Sequence, residues 1–353
     1  MQTSVPFTSG TDGYPTYRIP ALVRTGAGTL LAFAEGRTST SDTGAIDIVL
    51  RRSLDGGVTW QPLQAVAKGG TATRGNPAAV ALPSGRVVLV SSYNDGGVTE
   101  TQIMQGKAAA RRVFVQHSDD EGATWSSPAE ITSQVRRSTW RWYATGPGAG
   151  IVTRSGRMAI PANHSLAPAS GSGDLGSEAK YYGAHAILSD DDGATWRIGF
   201  VCSNPNGGVN ENESNGCELP DGRLYFSCRN QGGSSPGTRA DAYSADGGQS
   251  LVMDYRPQAT LTTPVVQGSV IAVGDALLYS GPTGPDRAAM ALWVSTDQGV
   301  TWELRRHVSG LPAAYSSLAL LDDSTVGLLY ETGDWSLYRR IEHVRIALAD
   351  LGL

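Results

Sequence analysis

One eight-residue pattern constrains this chain more than any other feature. It reads SLDGGVTW from Ser53, SDDEGATW from Ser118, SDDDGATW from Ser189 and STDQGVTW from Ser295, with a degenerate copy, SADGGQS, from Ser244. Successive starts lie 65, 71, 55 and 51 residues apart. Self-similarity at such a period, with strand-like runs between the copies, marks an array of small sheets arranged as propeller blades. Each copy reads as a tight hairpin turn. Asp and Ser side chains bond nearby backbone N–H groups, Gly supplies the positive φ, Thr returns the chain to a strand and Trp packs the turn down. The carboxylates of Asp55, Asp120, Asp191 and Asp297 recur with the turn, so they are assigned to it and not to chemistry.

The rest of the chain agrees with a strand-and-turn protein. Of 353 residues, 44 are Gly and 18 Pro, and only 17% are charged. Between the repeats, RVVLVSSYN, RLYFSCRN, ALLYSG and TVGLLYE are short apolar or alternating runs that follow Gly or Asp turns, as strands do. No long amphipathic helix and no linker is evident. The expectation is an all-β, six-bladed β-propeller forming one domain over 1–353, one blade lacking a copy of the turn.

Charge and cysteine usage exclude several functions. A net charge of −5, with arginine pairs scattered and no basic stripe, excludes nucleic acid as the main partner. No apolar run is long enough to span a bilayer. The start, MQTSVPFTSGTDG, lacks a secretory signal, and three cysteines (Cys202, Cys217, Cys228) suggest free thiols. A cytoplasmic protein is expected, or a secreted one whose leader has been removed. The five histidines show no metal-ligand spacing and no CxxC is present, so no metal and no cofactor is expected. GSGDLG at 171–176 and GSSPG at 233–237 match a dinucleotide fingerprint and a nucleophile elbow, but neither follows a buried strand into a helix.

What remains is a set of unusual charged and polar residues, several of them within or beside apolar runs. Arg18 lies in YRIP, Arg37 and Asp42 in EGRTSTSD, Glu213 in NENESNG, Arg229 in SCRN, Arg287 in PDRAAM, Tyr315 in AAYSSL and Glu331 in LLYET. A buried guanidinium cannot escape its desolvation cost by losing a proton, so it needs a carboxylate from the protein or from a ligand. Arginines from separate blades can converge, because the inner strands of a propeller surround one channel.

With these residues in this order, and with QGSVI at 267–271, VTE at 98–100 and ATGPG at 144–148, the chain resembles the exo-α-sialidases from about residue 14 to 350. It is similar to the cytosolic vertebrate type and to bacterial members. The resemblance implies that Arg18, Arg229 and Arg287 hold a substrate carboxylate, with Glu331 bracing the first. It implies Tyr315 as nucleophile, Glu213 as its partner and Asp42 as general acid/base, with Arg37 positioning the substrate carboxylate or the Asp42 loop. Most retaining glycosidases attack with a carboxylate, and sialidases with a tyrosine depart from them. The substrate carries a carboxylate on its anomeric carbon and would repel an anionic nucleophile, whereas a phenol arrives neutral and needs a base.

Softer implications concern specificity. Asn76 falls on the N-acyl side of the sugar, and Glu100 and Gln267 match contacts to the amide or nearby hydroxyls. At PANHS, Asn163 and Ser165 stand where tyrosines line the glycerol side, with Tyr181 and Tyr182 as replacements. The expected function is hydrolysis of terminal α-linked sialic acid from glycans by a monomer. Three alternatives stand beside it. A trans-sialidase would need an aromatic acceptor platform from Trp140, Trp142 or Trp335. A hydrolase of the des-N-acyl sugar KDN would be decided near Asn76. A sialoglycan-binding propeller would need the arginines but not Asp42, Glu213 and Tyr315.

Overall fold

The computed structural model describes residues 1–353, and nearly all of its regular structure is β. The expectation of an all-β chain holds. Only two short α-helices occur, Glu100–Met104 and Thr132–Val135, with two single 3-10 turns at Ala179–Tyr181 and Leu348–Leu351. Strands form where the apolar runs were read. Leu30–Arg37 opens with five apolar residues, and all eight of its residues are buried, one face against Phe7, Leu329 and Ile341 and the other against Ala79, Val87 and Leu89.

The expected six blades are corrected by the strand pairing. There are four sheets of blade size, with four, five, four and four strands, and one sheet of nine. The nine-stranded sheet arises because Ile46 of Ile46–Ser53 bridges Thr73 of Thr73–Ala81 in parallel, fusing two antiparallel meanders. Turn counting could not foresee that bridge, since it depends on how two meanders meet and not on either one's sequence. The sheets pack face to face through apolar clusters. One joins Val80, Val88 and Val90 to Met158, Ile160, Ile187 and Trp196. Burying each such side chain is worth about 1.5–3 kcal/mol. The chain closes on itself, because Gln2–Thr8 pairs antiparallel with Arg340–Ala347.

The repeated turns are built as the sequence suggested. In the first, Asp55 Oδ1 accepts from Thr59 N at 2.9 Å, Asp55 Oδ2 accepts from Thr59 Oγ1 at 2.6 Å, and Ser53 Oγ accepts from Gly57 N at 2.8 Å. Asp120, Asp191 and Asp297 repeat the arrangement, and in the degenerate copy Asp246 takes Ser250 Oγ at 2.6 Å in place of a threonine. The Thr59 and Thr124 hydrogen bonds hold the Asp55 and Asp120 carboxyls down to about 2. Every turn also receives an arginine from elsewhere in the ring. Arg345 donates to Gly56 O, Arg52 to Glu121 O, Arg86 to Asp192 O, Arg157 to Asp246 O and Arg223 to the Gln298 side chain. The turns are thus fastening points between neighbouring parts of the fold.

Candidate active site

The strands that carry the singled-out residues are irregular where those residues lie. Register shifts fall between Arg18 and Ala21, Gly75 and Ala78, Glu211 and Ser214, and Ala313 and Ser316. A bulge turns a strand locally and re-aims side chains out of the alternation. Here it brings Arg18, Asn76, Glu213 and Tyr315 to the wall of one cavity of about 240 Å3. Two bulges share a chemistry. Ile19 and Asn76 both adopt left-handed backbone, at φ 58° and 53°, and each precedes a proline, Pro20 or Pro77. That conformation is most costly for a β-branched residue such as Ile19, and asparagine adopts it more readily. It persists because each strained N–H is held by a buried carboxylate: Ile19 N donates to Glu331 Oε1 at 2.8 Å and Asn76 N to Glu35 Oε1 at 2.7 Å.

Tyr315 is the centre of the cavity. Its hydroxyl donates to Glu213 Oε2 at 2.6 Å, and Arg229 Nη1 donates both to the phenol oxygen at 3.1 Å and to Glu213 Oε2 at 2.9 Å. The guanidinium carbons of Arg18 and Arg287 lie 5.1 and 5.7 Å from its ring centroid. Three arginines from distant parts of the chain therefore face one phenol. Burial and the Glu213 charge push the phenol well above its ordinary range, and the arginines pull the other way.

The arginines are only partly satisfied by the protein. Arg18 Nε donates to Glu331 Oε1 at 2.9 Å, and Tyr338 covers the guanidinium at 4.0 Å. Burial works against its charge, but Glu331 and the Tyr315 phenol more than compensate. Arg229 Nε is buried without a partner, and Arg287 bonds only Val265 O, at 3.1 and 3.3 Å. Convergent guanidinium donors with unfilled capacity fit a carboxylate ligand.

Opposite them stands Asp42, whose side chain is 61% exposed. Arg37 Nη1 donates to Asp42 Oδ1 at 2.8 Å, and Arg18 Nη1 lies 3.8 Å from the same oxygen. Desolvation by the cavity wall works to raise the Asp42 carboxyl, but Arg37, Arg18 and Arg111 together hold it below the usual range. Asn76, Glu100 and Tyr182 line the same cavity. Burial raises the Glu100 carboxyl, with Arg111 opposing.

Other expectations need correcting. Gln267 is not on the cavity wall. Its amide is spent on the protein, donating to Ser316 O at 3.1 Å and Pro147 O at 3.3 Å and accepting from Ser316 N at 3.1 Å. It props the strand that carries Tyr315. Tyr182 lines the cavity but Tyr181 does not; the latter donates to Asp174 at 2.6 Å. Of the three tryptophans, only Trp142 reaches the cavity, while Trp140 is buried against His164 and Trp335 is 98% exposed away from it.

Sequence reasoning missed Glu35, Arg111 and Tyr338, all of which line the cavity. Arg111 is fully buried, stacks 3.4 Å over the Trp142 ring and donates to Asn76 Oδ1 at 2.9 Å. Burial lowers its guanidinium to about 10. Nothing in KAAARRVF marks it. Glu35 was legible, because an acidic residue in the apolar run LLAFAEGR is the same anomaly that singled out Arg18.

Comparison with known proteins places the whole assembly. Residues 28–328 match the family described as BNR repeat-like domain. An exo-alpha-sialidase of Aspergillus fumigatus is 30% identical over 91% of this chain and 79% of its own length. Human Sialidase-3 is 31% identical, with 90% and 86% covered, and a Micromonospora viridifaciens sialidase is 32% identical over 92% of this chain, which spans only 51% of that protein. A solved Hadza microbial sialidase, Hz136, superposes with a TM-score of 0.80 at 28% identity over 97% of this chain and 68% of its own. The leech intramolecular trans-sialidase reaches 0.80 at 18% identity, with 99% and 71% covered, a likeness of fold. The chain belongs to the BNR-repeat sialidase family.

Proposed function

We propose that this chain is an exo-α-sialidase that hydrolyses terminal α-linked sialic acid from glycoconjugates with retention, through a covalent bond to Tyr315. The observation that carries the proposal is the Tyr315–Glu213 hydrogen bond of 2.6 Å, set among three arginines. The substrate carboxylate occupies the donors left open on Arg18, Arg229 and Arg287. Glu213 takes the phenol proton as the oxygen attacks the anomeric carbon, so negative charge moves from carboxylate to phenol without net charge entering a buried site. The bond to the leaving oxygen breaks, and Asp42 supplies its proton. Water, deprotonated by Asp42, then displaces Tyr315, which recovers its proton from Glu213. Two displacements at one carbon give retention.

The acid role of Asp42 follows from the charge balance. In the empty cavity the surrounding arginines keep it ionised. A bound carboxylate neutralises part of that field, which favours protonated Asp42 once substrate is present. The test is fluorophore release from an aryl α-N-acetylneuraminide by the wild type and by Tyr315→Phe. Turnover by the wild type and a loss of at least about 100-fold in the variant support the proposal. No turnover by folded wild type, with the N-acetyl or the des-N-acyl sugar, points to a binding propeller instead.

A further inference from the structure

The two strained pre-proline bulges of the cavity are braced in the same way, and only one brace was expected. Glu331 holds the Ile19 N–H and the Arg18 guanidinium together. Glu35 is its counterpart across the cavity. One oxygen accepts the Asn76 N–H at 2.7 Å, and the other pairs with Arg37, accepting from Nε at 2.7 Å and touching Nη2. Glu35 and Arg37 lie two apart on one strand and so share a face, and Glu35 lies opposite Arg18 in the ladder. The approach to Asn76 requires Gly75, because a Cβ there would lie 2.6 Å from Glu35 Oε1. Glu35 is buried, as are Arg37 and Arg111.

We propose that Glu35 is a positioning residue for the reaction, fixing Arg37 against Asp42 with one oxygen and the Asn76 wall with the other. This rests on the reading of Asp42 as acid/base. Glu35 also offsets the Arg37 charge. The other groups facing Asp42 are Arg18 and Arg111, and Glu100 opposes them.

The test is Glu35→Gln, which keeps an oxygen for Asn76 N–H but removes the counter-charge of Arg37. A sialoside with an alkyl leaving group needs the Asp42 proton more than an aryl sialoside does. The variant is expected to lose about tenfold or more in kcat/KM on the alkyl substrate and clearly less on the aryl one. The alkaline limb of its pH profile moves to higher pH, because Asp42 loses the Arg37 contact that holds its carboxyl down. A crystal structure of the variant is expected to show the Arg37–Asp42 contact broken and Asn76 still left-handed. Equal losses on both substrates with an unmoved pH profile overturn the proposal, as does a structure in which Arg37 stays on Asp42. If the wild type turns over neither substrate, the sialidase reading fails and the crystal structure still decides the role of Glu35. Should Glu35→Gln not fold, Glu35→Asp is measured. It is expected to keep the pH profile and lose the Asn76 contact, and a profile that moves counts against the proposal.

Discussion

Replacing Glu331 by Gln is the most direct probe of how the cavity is held together. Glu331 is fully buried and serves three groups: the Arg18 guanidinium, the strained Ile19 N–H, and the backbone N–H of Tyr315 at 3.3 Å. Gln keeps an oxygen for only one of the two backbone donors, which lean on different oxygens, and leaves buried Arg18 with the exposed Asp42, 3.8 Å away, as its remaining counter-charge. Breaking a buried pair from one side costs about 3–5 kcal/mol. With an unfolding entropy of roughly 2.1 cal/mol/K for each of the 353 residues, that lowers Tm by about 4–7 °C. The assay is thermal unfolding by circular dichroism for Glu331→Gln, Arg18→Leu and the double variant. Glu331→Gln should cost more than Arg18→Leu, because a stranded carboxyl can take up a proton and a stranded guanidinium cannot lose one. The double variant should recover most of the loss, with a coupling of at least about 2 kcal/mol. A coupling below about 0.5 kcal/mol would refute the argument, since the two groups would then be acting independently.

The remaining expectations are simpler. Asp191→Ala removes the hydrogen bonds that close one repeated turn and should lower stability by about 1–2 kcal/mol with kcat unchanged; a drop in kcat at full folding contradicts the structural assignment. Gln267→Ala should lower Tm while leaving KM for small sialosides unchanged, whereas a raised KM restores Gln267 to the substrate pocket. His343 is buried beside Gly57 O, and burial lowers its imidazole to about 4. Above about pH 6.5 it is neutral in both folded and unfolded states; as pH falls from there toward 4 only the unfolded state gains the proton, so stability is lost at up to about 1.4 kcal/mol per pH unit. His343→Gln should flatten that slope by one proton, and an unchanged slope in urea titrations between pH 4 and 6.5 rules the contribution out.

How far the fold could be read depended on whether a feature was local. The repeated turn is complete within eight residues, so its Asp and Ser bonds to backbone N–H groups were legible, whereas the hydroxyl bonds from Thr59 or Ser250 to the Asp carboxylates were not foreseen. The fusion of two meanders through Ile46 and Thr73 is a contact between elements, and no local pattern announces it. The same division runs through the site. Arg18 and Tyr315 stood out because a charged or phenolic group breaks an apolar run, whereas Glu213 sits in the polar stretch NENESNG and owes its assignment to the resemblance. Glu35 broke a run too, in LLAFAEGR, but was not singled out. Arg111 gave no sign, since its burial is made by Trp142 from another part of the chain. Gln267 went wrong for the opposite reason: an amide near a nucleophile suits a ligand and a neighbouring backbone equally well, and only the register of Ala313–Asp322 decides between them.

The closure of the ring also sets when activity can appear during synthesis. Arg18 and Glu331 are separated by 313 positions in the chain, and Tyr315 and Glu213 by 102. Contacts of such long range form late, after the intervening loops have been ordered. A ribosome-bound chain short of Glu331 therefore holds several finished sheets but no braced Arg18, and the Tyr315 strand lacks part of its hairpin partner Thr325–Thr332. Stalled chains of graded length, assayed for turnover, should be silent until Glu331 has emerged and then become active in one step; activity in a shorter chain would show that the site does not wait for the ring to close.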